Sequence, residues 1–277
     1  MPELPEVESI RRTLEPRLLG ARVSGASLRR PDVLSAPPGE PRTNRGRQLL
    51  VGGQITLLRR HGKQLALLTH DRRACIVQLG MSGVLRWSPE APACDPSHHV
   101  HCVWTLGPGR GHLWFADPRR FGGLTSLRES SLPSHWAALG PDALSISGTD
   151  LRRALGRSRR PVKAALLDQH ALAGVGNIYA DEALFLARFS PRTPCCSLAA
   201  DAWDTLACAV RTVLAQAVAA GGSTLRDYRD GEGNAGRYQA RHSVYGRAGL
   251  PCPTCGSSLS SGLLAQRTTV WCPACQR

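Results

Sequence analysis

Near its C-terminus the chain reads Cys252-Pro-Thr-Cys255, then sixteen residues, then Cys272-Pro-Ala-Cys275. Two Cys-x2-Cys knuckles at this separation can place four thiolates tetrahedrally around a single Zn²⁺. The competing reading is a pair of disulfides. The N-terminus is acidic and lacks the basic region, apolar stretch and cleavage site of a secretory signal, so a reducing, cytosolic setting is expected and disulfides are disfavoured. Four protein ligands leave no open position, so the one Zn²⁺ is expected to be structural. The intervening GSSLSSGLLAQRTTVW can then form a β-hairpin, with Arg267 near its tip. Zinc ribbons serve many purposes, and this one does not by itself give a function.

The charge narrows the choice. The chain has 277 residues, enough for two domains, and sets 35 Lys plus Arg against 21 Asp plus Glu, a formal net charge of +14. Arg outnumbers Lys, and its planar fork suits phosphate oxygens and base edges. A high-GC genome would explain Arg over Lys but not the excess of positive charge. A nucleic-acid partner is therefore expected. No apolar run reaches the roughly 18 residues of a membrane span. The other six cysteines show no repeated spacing and are expected to be reduced and partly buried.

Val7, Ile10, Leu14 and Leu18 recur at helical spacing, with Gly20 where a C-terminal cap belongs. From residue 21 to about 135, short segments rich in β-branched and aromatic residues alternate with Gly, Pro and Asp, which predicts an antiparallel sandwich or barrel-like domain. ESSLPSHWAALGPDALS reads as a linker into a helical region over 149–220, and 222–244 is a polar, Gly-rich loop. The expected divisions are 1–135, 136–221, 222–244 and 245–277.

Several motifs admit two readings. In MPELPEVES, Pro5 and Glu8 suit a helix start, whereas Pro2 and Glu3 precede the helix and are left unexplained by it. In GVGNIYADE, Asn177 opens a helix as a good N-cap whose free backbone N–H groups could bind phosphate, or the segment could be a corner that only packs. DPRRFGG could supply phosphate contacts and a wedge into a base stack, or be an ordinary turn. Met81 of LGMSG could pack in a core, and Lys63 of HGK could face solvent.

Taken in order, PELPEVE, RRHGK, LGMSG, DPRRFGG, LLDQHALAGVGNIYADEALF, VYGRAGLPCPTCG and AQRTTVWCPACQ resemble the bacterial formamidopyrimidine-DNA glycosylases, the 8-oxoguanine branch of the Fpg/Nei family, from residue 2 to residue 276. The resemblance implies an α+β fold: an N-terminal antiparallel β-sandwich flanked by helices, then a helical domain with a helix–two-turns–helix motif and a zinc-finger hairpin. It implies a bifunctional glycosylase and abasic-site lyase, a monomer in the bacterial cytoplasm and associated with the nucleoid, acting on double-stranded DNA with oxidised bases or abasic sites. Pro2, exposed as the N-terminal amine once Met1 is removed, would be the nucleophile, with Glu3 as acid/base. Lys63 would grip a phosphate and assist elimination. Met81, Arg119 and Phe121 would fill the gap left by the extruded nucleotide. Asn177 and Arg267 would clamp phosphates around the damaged site. Lys163 matches a family lysine near the active site, and Arg159 lies where a further DNA contact is expected. The 222–244 segment matches the loop that closes over the flipped base. Two positions depart from the family: Gln78 stands where many members have His, and in SHHVH the simplest alignment puts Ser97 at a family His, leaving His98 or His99 to substitute. The competing functions are an endonuclease VIII-like enzyme for oxidised pyrimidines and a non-catalytic zinc-ribbon DNA-binding protein.

Overall fold

A computed structural model of the chain describes residues 2–35, 45–93 and 99–277. The chain forms two compact units: Met1–Ala137 with Gly221–Gly236, and Ala138–Ala220 with Arg237–Arg277. Among the described residues no helix is long and apolar enough to cross a membrane.

The first unit opens on α1 (Leu4–Leu18). Glu3 is its N-cap in extended conformation, and the Glu3 N–H donates to Glu6 Oε2 at 2.8 Å, satisfying one orphan donor of the first turn. Val7, Ile10, Leu14 and Leu18 are buried, as their spacing predicts. Gly20 takes φ +75°, which a residue with a Cβ rarely adopts, and turns the chain away from the helix.

Nine strands follow among the described residues: β1 (Val23–Leu28), β2 (Leu34–Ser35), β3 (Ile55–His61), β4 (Gln64–Thr69), β5 (Arg73–Gln78), β6 (Val84–Ser88), β7 (Val100–Leu106), β8 (His112–Ala116) and β9 (Gly123–Arg128). They build a four-stranded sheet ordered β1-β7-β8-β6 and a five-stranded sheet ordered β2-β9-β5-β4-β3. Both sheets and α1 contribute to one core that includes Ile10, Leu14, Leu67, Val77, Trp104 and Phe115. Inside it, Trp104 donates its indole N–H to the Leu49 carbonyl at 3.0 Å, so this buried ring leaves no polar atom unmet. The expected antiparallel pairing holds except between β2 and β9, which run parallel over Leu34–Leu124 and Ser35–Thr125. β2 reaches the second sheet from β1 of the first, so no hairpin dictates its direction. The short helices α2 (Arg45–Gln48) and α3 (Leu132–Trp136) flank the sheets; α3 occupies part of the stretch expected to be a linker.

The second unit contains α4 (Gly148–Leu155), α5 (Val162–Leu166), α6 (Asn177–Ala187), α7 (Ala202–Ala219) and the hairpin β10 (Ser260–Leu264) with β11 (Arg267–Trp271). α6 is buried on most sides, and its mostly apolar sequence carries two buried carboxylates, Asp181 and Glu182. Its N-cap is Gly176, in extended conformation, so Asn177 is the first helical residue rather than the cap. The hairpin turns through Ala265 and Gln266, both at positive φ, leaving Arg267 exposed beside the tip.

Candidate active site

Pro2 and Glu3 are buried at the start of α1, Glu3 only 2% exposed. Glu6 organises the surrounding backbone. Its Oε1 accepts from the Ser223 N–H at 2.8 Å, tying the 221–236 segment to α1. The Tyr228 hydroxyl donates to the Glu6 carbonyl at 3.2 Å and the Gly221 carbonyl at 3.1 Å. Farther along, the Gly231 N–H donates to Thr13 Oγ1 at 3.0 Å, and Asp230 Oδ1 accepts from the Glu232 and Asn234 N–H groups at 2.9 and 2.8 Å. The Gly-rich stretch is thus a built turn on the face of α1.

Glu8 links the same helix to β3. Arg60 donates to Glu8 Oε2 at 3.1 Å with both side chains 8% exposed, and Arg11 and Arg12 hold the other oxygen. Burial raises the Glu8 pKa, but hydrogen bonds from Arg11 and Arg12 and the charges of Arg11 and Arg60 outweigh it and hold the carboxyl below its ordinary range. β3 ends in a two-residue turn to β4, with Gly62 at φ +54° and Lys63 half-buried beside it. Gln78, exposed at the end of β5, accepts from Gln64 Nε2 at 3.1 Å; Gln64 Oε1 in turn accepts from the Trp136 indole at 2.9 Å. His99 is exposed, and His98 lies outside the described residues.

Met81, Arg119 and Phe121 sit on two turns of this unit. Met81 is half-buried between Gly80 and Ser82, and Phe121 is 57% exposed with the Arg119 guanidinium 5.1 Å from its ring centroid.

In the second unit Asn177 and Arg267 come together. Asn177 Nδ2 donates to the Thr268 carbonyl at 3.0 Å, one residue beyond Arg267. Lys163 reaches the same strand from α5: its Nζ lies 2.7 Å from Asp181 Oδ1 and donates to Thr269 Oγ1 at 2.7 Å and the Thr268 carbonyl at 3.1 Å. Lys163 is 0% exposed, so its ammonium holds β11 rather than facing a surface phosphate. Burial pushes Asp181 up to about 6 against the opposing Lys163 charge, with the Glu182 charge adding to the rise. Arg159 is exposed between α4 and α5.

The Sγ atoms of Cys252, Cys255, Cys272 and Cys275 lie within 4.8 Å of one another. Cys252–Cys275 and Cys255–Cys272 are 3.9 and 3.5 Å apart, and a tetrahedron of Zn–S bonds about 2.3 Å long sets sulfurs roughly 3.8 Å apart. The Thr254 and Cys275 N–H groups point at Cys252 and Cys272 Sγ, at 3.4 and 3.3 Å, as donors to thiolates would. The donor set fits one structural Zn²⁺. The other described cysteines are free; burial pushes Cys75 up to about 12 and Cys195 up to about 11, so these thiols are inert.

Residues 1–124 match the family model of the formamidopyrimidine-DNA glycosylase N-terminal domain, and 139–229 match that of its H2TH domain. The formamidopyrimidine-DNA glycosylase of Thermomicrobium roseum is 43% identical over 293 residues, covering 100% of this chain and 99% of that protein. The chain belongs to the formamidopyrimidine-DNA glycosylase family. The glycosylase of Xanthomonas oryzae pv. oryzae is also 43% identical, over the full length of both chains. Among solved structures, MutM (Fpg) of Thermus thermophilus gives a TM-score of 0.85 at 41% identity over 99% of this chain and 98% of its own. Lactococcus lactis Fpg in complex with DNA containing an abasic site gives 0.87 at 30% identity, covering 100% of both chains. The family's members are DNA glycosylases of base excision repair, and the α+β fold and four-cysteine finger expected from the sequence are those observed.

Within this glycosylase, sequence reading missed the residues that hold the motifs in shape. Gln169 accepts from the Gly174 N–H at 3.0 Å and donates to the Val175 carbonyl at 2.8 Å, closing the two turns before α6. Glu182 accepts three consecutive N–H groups, from Ser243, Val244 and Tyr245, at 2.8 to 2.9 Å, and anchors the entry to the finger. A side-chain amide five residues before a glycine and a carboxylate inside an apolar helix were the only signals available.

Removing Lys163 should leave Asp181 buried and unpaired. Lys163→Met is expected to lower unfolding stability by about 3–5 kcal/mol at neutral pH. A pKa raised in the folded state favours folding below the unfolded value of about 4 and disfavours it as pH rises through the folded value. The Lys163→Met penalty should therefore be smaller at pH 5, where Asp181 is largely protonated, than at pH 8. Denaturant unfolding at both pH values checks this, and equal penalties would show that the ion pair is not what Lys163 supplies.

Proposed function

We propose that this glycosylase is bifunctional, excising oxidised purines, 8-oxoguanine and formamidopyrimidines, and then cleaving the abasic strand through Pro2. The observation that carries this reading is the pairing of Pro2 with a buried Glu3 at the head of α1, in a chain that matches the family from end to end. With Met1 removed, Pro2 presents a secondary amine. Such an α-amino group titrates at about 8, so a useful fraction is neutral at physiological pH. Its lone pair attacks C1′ and the base departs, taking a proton. Opening of the sugar ring, with Glu3 delivering a proton to O4′, leaves an iminium that is cationic without further protonation. The iminium acidifies the 2′ protons. Loss of one expels the 3′ phosphate, and a second elimination expels the 5′ phosphate, giving β,δ-elimination.

Lys63 grips a phosphate beside the lesion and assists elimination. Asn177 and Arg267, held on one strand start by Thr268, bind phosphates; Gln78, His99 and Arg159 add outer contacts. Gln78 replaces a charged donor with a neutral amide, a weaker but still competent phosphate ligand. Met81, Arg119 and Phe121 fill the vacated stack and offset the few kcal/mol that base extrusion costs. The exposed Phe121 ring suits that task better than it suits the fold. The enzyme works as a monomer on nucleoid DNA, and the Lactococcus lactis relative's complexes with Fapy-dG and abasic-site DNA support the substrate class.

One Lactococcus lactis Fpg complex contains an oxidised pyrimidine, which keeps an endonuclease VIII-like range as the second reading. Single-turnover excision of 8-oxoguanine opposite cytosine, compared with thymine glycol, decides between them. Faster 8-oxoguanine excision is expected, and a preference for thymine glycol would overturn the purine assignment.

A further inference from the structure

The two turns that carry Met81, Arg119 and Phe121 are 35 residues apart in sequence and share one buried carboxylate. Asp117, at the start of DPRRFGG, is 0% exposed. Its Oδ1 accepts from the Ser82 hydroxyl at 2.6 Å and the Arg119 N–H at 3.2 Å, and its Oδ2 accepts from the Gly122 N–H at 2.7 Å. Ser82 belongs to the other turn and is the residue next to Met81. The Ser82 oxygen also accepts from the Arg119 N–H, at 3.3 Å. Behind the carboxylate, the Asp117 carbonyl pairs with His101 Nε2 at 2.8 Å.

The backbones themselves touch. A Cβ on Gly80 would lie 2.5 Å from the Gly122 nitrogen, and a Cβ on Gly122 would lie 2.5 Å from the Gln78 carbonyl oxygen. The DPRRFGG turn also forces Arg120 to φ +56°, a conformation that L side chains rarely adopt. A carboxylate is costly to bury unless its oxygens are met by donors, and here three donors from two turns meet it. A carboxylate that only closed its own turn would need the Arg119 and Gly122 N–H groups; the Ser82 bond reaches beyond that task.

The geometry points to Asp117 as a positioning residue for base extrusion. Through Ser82 it locks the Met81 turn to the Arg119–Phe121 turn, so that the three side chains enter the stack as one preformed piece. This inference rests on the wedge reading of those three residues. Preorganisation places the ordering cost in folding rather than in DNA binding, so the lock matters only when a base must be displaced.

The test uses single-turnover rates, at one fixed salt concentration, on an 8-oxoguanine duplex and on a preformed abasic site, which has no base to flip. Four variants of the full chain are compared: Ser82→Ala, Ser82→Thr, Asp117→Asn and the triple Met81→Ala/Arg119→Ala/Phe121→Ala. Ser82→Ala cuts the link between turns while leaving Asp117 its two backbone donors, so it reports even if Asp117→Asn folds poorly. Ser82→Ala is expected to slow 8-oxoguanine excision roughly tenfold relative to abasic-site cleavage, a fraction of the full unstacking cost. Ser82→Thr, which keeps the hydroxyl, should restore the wild-type ratio, and the triple variant should show the largest imbalance. If the triple variant shows the imbalance while Ser82→Ala keeps the wild-type ratio, or loses both activities equally, positioning by Asp117 is overturned and the wedge stands. If the triple variant itself loses both activities equally, the wedge reading falls and the role of Asp117 falls with it.

Discussion

Blocking the Pro2 nitrogen is expected to eliminate the covalent enzyme–DNA complex that borohydride traps. A chain that retains residues ahead of Pro2 turns the amine into a tertiary amide, whose lone pair is delocalised into the carbonyl, and no iminium can form. Pro2→Gly restores an N-terminal amine, but a primary one. Its condensation product is a neutral imine that must capture a proton before it can act as an electron sink, a step worth roughly a hundredfold or more in acid–base catalysis. Trapping should therefore fall to background in the extended chain and by about two orders of magnitude in Pro2→Gly. In the unaltered enzyme it should rise as pH approaches about 8, where the amine loses its proton. The wild-type sample needs its mass checked for loss of Met1. Trapping that is equally efficient with an extended N-terminus would exclude Pro2 and direct the search to a lysine.

The Pro2 proposal rests on the family resemblance that PELPEVE carries in a few adjacent residues. What was legible is local: α1, whose apolar spacing alone places Val7, Ile10, Leu14 and Leu18 in the core, and the finger, where knuckle spacing predicts both the metal ligands and the hairpin. What stayed hidden is long in sequence. Ser82 meets Asp117, Glu182 meets residues 243–245, and Lys163 meets Thr269 across 106 positions. A single sequence records which residues carry donors and acceptors, but not which of them the fold brings together. Lys163 illustrates the consequence. The resemblance set it near the active site, and only its neighbours reveal it as the buried counter-ion of Asp181. The parallel β2–β9 pair was hidden for a related reason, since two residues carry no periodicity from which to read a direction. Asn177 looked like a helix cap because its residue type favours that position; Gly176 takes the cap, and the Asn177 amide is released to hold Thr268.

Loss of the metal should be the most damaging change to the second unit. Structural zinc supplies on the order of 10–16 kcal/mol in isolated finger peptides. The finger has little else to replace it: its buried cluster is Val244, Cys252, Leu259, Val270 and Cys272, and two of those five are themselves ligands. Cys272→Ser is therefore expected to release the ion and disorder β10 and β11. Three anchors on β11 survive the substitution: the Val270 N–H bonded to Asp181 Oδ2, the Lys163 contacts to Thr268 and Thr269, and the Asn177 amide on the Thr268 carbonyl. They hold residues 268–270 of one strand, whereas Arg267 lies just past them beside the turn, where it pairs with Leu264 of the other strand. DNA affinity should fall, and the slope of log affinity against log salt should shrink by about one as the proposed Arg267 phosphate contact is lost. The first unit should keep its cooperative unfolding, because its described core residues all belong to that unit. Metal analysis should find one Zn²⁺ per wild-type chain, and hydrogen exchange over 260–271 should report the disordering. A metal-free variant with full activity and an unchanged salt slope would refute the site.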